Sequence, residues 1–74
     1  MFLNKIDFNK RAIITSINIH GIKRKRLYDL GIIPGSVIVK EFESVFKDPI
    51  CYRIKNTLIA LRNEDALNIE VKYE

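Results

Sequence analysis

A small, closed, mainly β barrel of five short strands with one short helix is the fold that this sequence predicts. Three observations support it. The chain has 74 residues, enough for one domain, residues 1–74, and too few for two. Apolar and polar residues alternate in several short runs, as half-buried strands do. These runs are too short and too close together to stack as two full sheets, whereas a closed barrel also removes exposed strand edges.

The predicted strands follow from this alternation and from the turns between the runs. A helical turn near the N-terminus, with Asn4 as its N-cap, and a turn at Asn9-Lys10 precede the first strand. Pro34-Gly35 is a type II turn pair that leads into the second strand. Asn63 is placed to cap a helical turn before the last strand. The predicted strands are residues 11–19, 36–43, 50–54, 58–61 and 69–73.

A short helix is predicted between the first two strands, over residues 22–30. Its apolar residues Ile22, Leu27 and Leu30 fall near one side. We expect Leu27 and Leu30 to anchor the helix in the mouth of the barrel. Gly31 is placed to end the helix in the left-handed conformation. The alternation of apolar and polar residues and the residues at the turns together predict a small SH3-like barrel.

The charge balance weakly favours an acidic partner. Thirteen Lys and Arg against nine Asp and Glu give a net charge of +4. Four cations form one run at the start of the predicted helix, where the positive end of the helix dipole disfavours them. This run is our candidate contact surface, with a merely solvated helix face as the alternative; it comprises Lys23, Arg24, Lys25 and Arg26. An exposed Phe46 beside Lys47 is a second candidate, as a partner anchor.

Metal binding and catalysis have little support. His20 and Cys51 are the only soft or borderline ligands, and no pair of ligand residues has the helical spacing of a built metal site. His20 and Cys51 are therefore weak metal candidates. The simplest interpretation is that His20 is a surface residue and that Cys51 is a small packed residue. There is no phosphate-binding loop and no order of catalytic residues to propose. We therefore predict a protein that is not an enzyme and that has no cofactor, with weak adventitious metal binding left open.

No targeting or membrane-spanning segment is visible. The N-terminus lacks a long apolar run and a small-residue cleavage site, and no run of about 18 apolar residues occurs. We expect a cytoplasmic, stand-alone protein, because the chain begins with its own Met, and no direct membrane insertion. A homodimer formed through strand edges is left open.

Two blocks of the sequence are more specific than a generic barrel. The first runs Arg26-Leu27-Tyr28-Asp29-Leu30-Gly31 and continues with Pro34-Gly35. The second is Ala60-Leu61-Arg62, followed by Ala66, Ile69 and Val71. With Asp48-Pro49-Ile50 between them, these blocks resemble the FeoA family, the ferrous iron transport protein A domain, over essentially the whole chain. We expect Leu27, Leu30, Leu61 and Ile69 to converge in the core.

The chain departs from the family pattern at three turns. The family usually has Gly where this chain has Asn9-Lys10, and often has Gly where this chain has Lys47 and Asn56. Asn adopts the left-handed conformation at modest cost, and Lys does so much less readily.

The resemblance implies a function as well as a fold. It implies a small cytosolic accessory of FeoB, a ferrous iron permease of the membrane that carries a cytosolic GTP-binding domain. We expect contact with the cytosolic part of such a permease, which modulates Fe(II) uptake. One alternative is a metal-responsive regulatory module that binds Fe(II) or Zn(II) weakly. A basic nucleic-acid-binding barrel is a further alternative that rests on charge alone, and we expect no nucleic acid partner.

Overall fold

One antiparallel sheet and two short helices form the protein. The computed structural model describes residues 1–74. The strands are β1 (Arg11–Ile17), β2 (Val37–Glu43), β3 (Ile50–Ile54), β4 (Thr57–Leu61) and β5 (Ile69–Tyr73). The helices are α1 (Gly21–Asp29) and α2 (Asn63–Ala66), and a 3-10 turn covers Leu3–Lys5. The mainly β fold with five strands is thereby confirmed. None of the helices combines the length and the apolar character that crossing a membrane requires.

The five strands form a single sheet in the order β4-β3-β2-β1-β5. The two outer strands, β4 and β5, are not paired with each other, and the chain between them turns through α2. The outer edge of β5 is covered by the N-terminus: the Met1 amino group donates to the Val71 carbonyl at 3.0 Å, and the Val71 N–H donates to the Met1 carbonyl at 2.8 Å. The expectation that closure would remove every strand edge is therefore wrong for β4.

The core contains sixteen buried apolar residues. In β1, Ala12 and Ile14 are buried, and a bulge between Ile14 and Ser16 shifts the register against β5. Ile17 then packs only partly on the core, and Ile19 is buried beyond the end of the strand. Simple alternation over residues 11–19 is thus wrong, because a β-bulge inserts one residue into the strand and changes which face follows it.

Only one of the apolar side chains predicted to anchor the helix does so. Leu27 is buried, as are Leu61 and Ile69, but Leu30 is 48% exposed and Ile22 is 72% exposed. The expectation that Leu30 joins the core is wrong. Gly31, with φ of +94°, reverses the chain directly after the helix, and the Ile32 N–H donates to the Leu27 carbonyl at 2.9 Å. This reversal places the fully buried Ile32 in the core while Leu30 faces outward.

Left-handed residues occupy the predicted turns. Asn9 has φ of +65°, and Lys55 and Asn56, at +48° and +66°, form the two-residue turn between β3 and β4. Positive φ at both central residues is what this hairpin turn requires. Lys47 also adopts the left-handed conformation, with φ of +65°, although it has a Cβ atom. Its N–H donates to the Ser44 carbonyl at 2.9 Å, which closes the turn.

Both predicted helix caps are wrong. Asn4 lies within the 3-10 turn and makes no capping hydrogen bond. Asn63 is the first residue of α2 and not its N-cap. Its backbone N–H donates a hydrogen bond to Asp48 Oδ1 at 3.0 Å. A carboxylate from the β2–β3 loop thus satisfies one of the free N–H groups at the start of α2.

Tyr52 provides a test of the core that depends on pH. Its side chain is fully buried, its hydroxyl has no hydrogen-bond partner, and burial raises the pKa of the phenol to about 12. We expect Tyr52→Phe to be at least as stable as the wild type at pH 7, because the variant buries no unpaired hydroxyl. As pH rises from 10 to 12, the unfolded wild type loses its phenolic proton while the folded state retains it. The wild type should therefore lose stability relative to the variant. Urea denaturation of both proteins across this range measures the difference, and a difference independent of pH would contradict the assignment.

Candidate functional site

The cation run lies on the exposed surface of α1. The helix begins at Gly21, whose φ is +71°, and its N-cap residue His20 makes no capping hydrogen bond with its side chain. No acidic residue lies in the first turn. Lys23 and Arg24 therefore stand near the positive end of the helix dipole with no compensation from the same turn, whereas Arg26 lies in the last turn, where the dipole favours a cation.

Lys23 finds its compensation on the other helix. Its Nζ atom donates to Asp65 Oδ1 in α2 at 3.0 Å. This hydrogen bond, and then the attraction of Asp65 and Glu64, raise the pKa of Lys23. The ion pair joins α1 to α2 across 42 positions of sequence.

The other cations of the run differ in how they are engaged. The Arg24 guanidinium donates to the Tyr28 hydroxyl at 3.1 Å and lies 5.0 Å from the centre of that ring. Lys25 Nζ lies 3.5 Å from Asp29 Oδ2, one helical turn away. Arg26 is exposed and has no ion pair. Arg24 and Arg26 thus present charge that no carboxylate of the chain neutralises.

The β2–β3 loop carries the most exposed apolar side chains of the chain. Val45 is 93% exposed and Phe46 is 89% exposed. The loop is held against α2, since the Asn63 side-chain amide donates to the Lys47 carbonyl at 3.2 Å and the Asn63 N–H donates to Asp48. The sequence pointed to Phe46 and Lys47 as a contact separate from the helix, and the structure attaches both segments to α2.

These contacts attach both predicted partner-binding segments to α2. Lys23 links α1 to α2, and Asn63 links α2 to the β2–β3 loop. We call the cations 23–26 and the loop tip 45–47 the α1–loop surface. The bridging residues Asp65, Asn63 and Asp48 were missed as site residues; the only signal in the sequence was the Asn63-Glu64-Asp65 run, which also reads as a helix start.

The weak metal candidates lie on separate elements. His20 is exposed and precedes α1, whereas Cys51 is half-buried in β3. No group of three or more His, Cys, Asp or Glu side chains is arranged to hold a metal ion.

Most residues of the two sequence blocks lie in the core or in a turn and so support the fold. Ala66, Ile69 and Val71 are buried, and Gly35 adopts φ of +93° in the turn after Pro34. The exposed exceptions are Arg26, Asp29 and Leu30 in the first block and Ala60 and Arg62 in the second. Ala60 lies on the outer face of β4, and Arg62 directly precedes α2. The blocks therefore specify the scaffold more than a surface.

Two shallow cavities lie outside the α1–loop surface. The first, of about 280 Å³, opens on the sheet and is lined by Arg11, Val37, Val39, Arg53, Lys55 and Asn56. Two of its three cations are engaged, Arg11 with Glu74 and Arg53 with Glu41. The hydrogen bond from Arg11 lowers the pKa of the Glu74 carboxyl. The second, of about 360 Å³, is lined by Phe2, Ser16, Asn18, Leu67, Asn68 and Glu70.

Comparison with known proteins gives consistent matches. The FeoA domain model matches residues 1–73. A Porphyromonas gingivalis protein described as an Fe(2+) transport protein A/Fe(2+) transporter FeoB fusion is 33% identical over 72 residues, which are 97% of this chain and 8% of that protein. The solution structure of a FeoA protein from Chlorobium tepidum is 29% identical with a TM-score of 0.92, covering 99% of this chain and 70% of the other. A Stenotrophomonas maltophilia FeoA, described as an SH3 domain protein, has a TM-score of 0.81 at 22% identity, over 97% and 89% of the two chains, which supports the SH3-like fold.

Proposed function

The chain belongs to the FeoA family, and on this premise we propose that it is an accessory of ferrous iron transport that acts by contact with the cytosolic part of a FeoB-type permease. The contact modulates Fe(II) uptake. The protein itself is not an enzyme in this proposal, and it needs no resident cofactor. It acts in the cytoplasm, where that part of the permease is accessible.

The fusion protein is the observation that carries the proposal. In the Porphyromonas gingivalis relative, Fe(2+) transport protein A and the transporter FeoB are named as parts of one polypeptide. Joining two domains in one chain makes their contact intramolecular and raises their effective concentration. A fusion of this kind favours a physical contact between the two parts. This chain spans 8% of the fusion protein's length.

The α1–loop surface has the chemistry for such a contact. Arg24 and Arg26 offer charge that no internal carboxylate neutralises, and Phe46 offers an aromatic side chain that is 89% exposed. Buried aromatic and Arg side chains dominate the energetics of many protein interfaces. Complementary charge steers association and sets specificity. The matching surface on the partner would be acidic around an apolar pocket.

Charge reversal on α1 tests this proposal. We expect the double variant Arg24→Glu with Arg26→Glu to weaken binding to the permease about tenfold or more, because repulsion replaces attraction at an acidic surface. Iron uptake should fall toward the level of cells that lack the protein. Lys23 and Lys25 are left unchanged, because reversing them would also remove their ion pairs and place like charges beside Asp65 and Asp29. The measurements are Fe(II) uptake in cells that depend on this chain and its permease, and binding to the purified permease.

A matched control separates position from net charge. Lys5→Glu with Lys72→Glu changes the net charge by the same amount at two exposed lysines outside the α1–loop surface that form no ion pair. The control should bind and support uptake as the wild type does. Equal uptake and equal binding by the two double variants, both folded, would exclude α1 as the contact surface.

A further inference from the structure

The outer edge of β4 has unpaired backbone groups. The two-residue turn makes Ile54 and Thr57 a hydrogen-bonded pair, and pairing alternates from there along the hairpin. Leu58 and Ala60 then direct their N–H and C=O groups away from β3. None of the backbone hydrogen bonds outside the regular elements involves either residue.

This edge lacks the devices that usually protect an edge strand. Short edge strands, Pro, charged side chains, bulges and covering segments discourage the addition of another strand. Residues 57–61 contain no Pro and no charge, and all five pair with β3 in unbroken register. The N-terminus covers the edge of β5, whereas no segment of the chain pairs with the edge of β4.

The side chains beside this edge are apolar. On the outer face of the sheet, Ala60 pairs with Cys51, and Cys51 pairs with Phe42, which is 51% exposed. Leu58, two residues before Ala60, is 47% exposed. An added strand with apolar side chains at alternate positions would extend this apolar row and shield Leu58 and Ala60.

Charge at the two ends of β4 indicates what the added strand would be. Lys55 precedes the strand and Arg62 follows it; both are exposed and neither forms an ion pair. In an antiparallel pair of two copies centred on Ile59, Arg62 of each copy would lie opposite Asn56 and beside Lys55 of the other. Like charges facing each other across strands are destabilising. A segment with acidic residues at both ends would instead meet both cations favourably.

We propose that the edge of β4 accepts an extended segment of a protein partner as a sixth strand, apolar at alternate positions and acidic at both ends. Backbone hydrogen bonds to Leu58 and Ala60 provide the attachment, and Lys55 and Arg62 select the flanking charges. This surface is separate from the cations of α1, and the proposal does not depend on the identity of the transporter.

The test uses a synthetic peptide in which alternating Val and Thr residues are flanked on each side by two Glu residues. Binding is followed by nuclear magnetic resonance of the full chain labelled with ¹⁵N. We expect the amide exchange of Leu58 and Ala60 to slow at least tenfold at saturation. The same peptide with Lys flanks should bind at least tenfold more weakly. A peptide with N-methyl groups on its pairing amides should lose binding, because it retains the side chains but cannot donate.

Two variants locate the attachment on the protein. Ala60→Pro removes an N–H that faces solvent, a position at which an edge strand tolerates Pro, and it should abolish binding. Ala60→Ser keeps the N–H and should bind as the wild type does. Equal binding of the N-methylated peptide, protection absent from Leu58 and Ala60, or no binding at millimolar peptide would overturn the proposal. A dimer of the free chain that Ala60→Pro dissociates would overturn the choice of partner in favour of a second copy.

Discussion

Replacing Ile69 by Ala is expected to cost about 2–5 kcal/mol of unfolding free energy, because the change leaves a cavity in a fully buried site. A domain of this size has a total stability on the order of 4–11 kcal/mol. Ile69 begins β5 and pairs with Ile17, so its loss weakens the packing of β5 against β1. The variant should unfold at a clearly lower urea concentration, measured by far-ultraviolet circular dichroism.

Leu30→Ala is the matched control for this prediction. The sequence assigns Leu30 and Ile69 alike to the core, but Leu30 is 48% exposed at the end of α1. Its truncation should cost less than about 1 kcal/mol, because little apolar surface returns to water. If Leu30→Ala destabilised the protein as much as Ile69→Ala, the outward position of Leu30 would be wrong.

Lys40→Met is expected to cost about 2–3 kcal/mol and to loosen the N-terminal segment. Lys40 is the only buried charged residue, and its Nζ atom donates to the carbonyls of Asn4 at 2.9 Å and Ile6 at 3.0 Å. The ammonium also lies 5.0 Å from the centre of the Phe8 ring. Met keeps the length of the apolar stem but donates no hydrogen bond, so two carbonyls lose their partner.

Hydrogen exchange distinguishes this local effect from a general loss of stability. Residues 1–8 and the Val71 amide, which donates to Met1, should exchange faster in Lys40→Met, beyond what the global stability change explains. The exposed Lys5→Met serves as the control and should leave both exchange and stability nearly unchanged. Uniform acceleration across the sheet would argue against Lys40 as an anchor of the N-terminal segment.

The parts of the fold that the sequence predicts well are those determined by neighbouring residues. The bounds of β3 match the prediction, and the Lys55-Asn56 turn lies where Asn signals a positive φ. Gly31 ends α1 in the left-handed region, as expected for a glycine at that place. Such turns can be predicted from the sequence because their conformation depends on a few adjacent residues.

The parts that it predicts poorly depend on contacts distant in sequence. Leu30 has the spacing of a core residue, but the chain reverses at Gly31, so that Ile32 is buried in the core and Leu30 is exposed. The start of α2 is capped by Asp48 from another loop, and no local pattern connects Asp48 with Asn63.

The candidate site, too, is only partly predictable from the sequence. The cations of α1 are visible as a run, and Phe46 is visible as an aromatic residue in a loop. Their common attachment to α2 depends on Lys23–Asp65 and on Asn63–Lys47, two contacts between separate elements. The sequence therefore predicts the candidate side chains, and the structure adds the contacts that attach both segments to α2.

The pairing of the α1 lysines also affects how ionic strength would act on docking. Lys23 and Lys25 already have carboxylate partners in Asp65 and Asp29, so an acidic partner that reaches them exchanges one ion pair for another. Such an exchange frees an internal carboxylate and leaves the number of screened charges nearly unchanged. Added salt would therefore weaken association less than four cations suggest, with Arg24 and Arg26 accounting for most of the response.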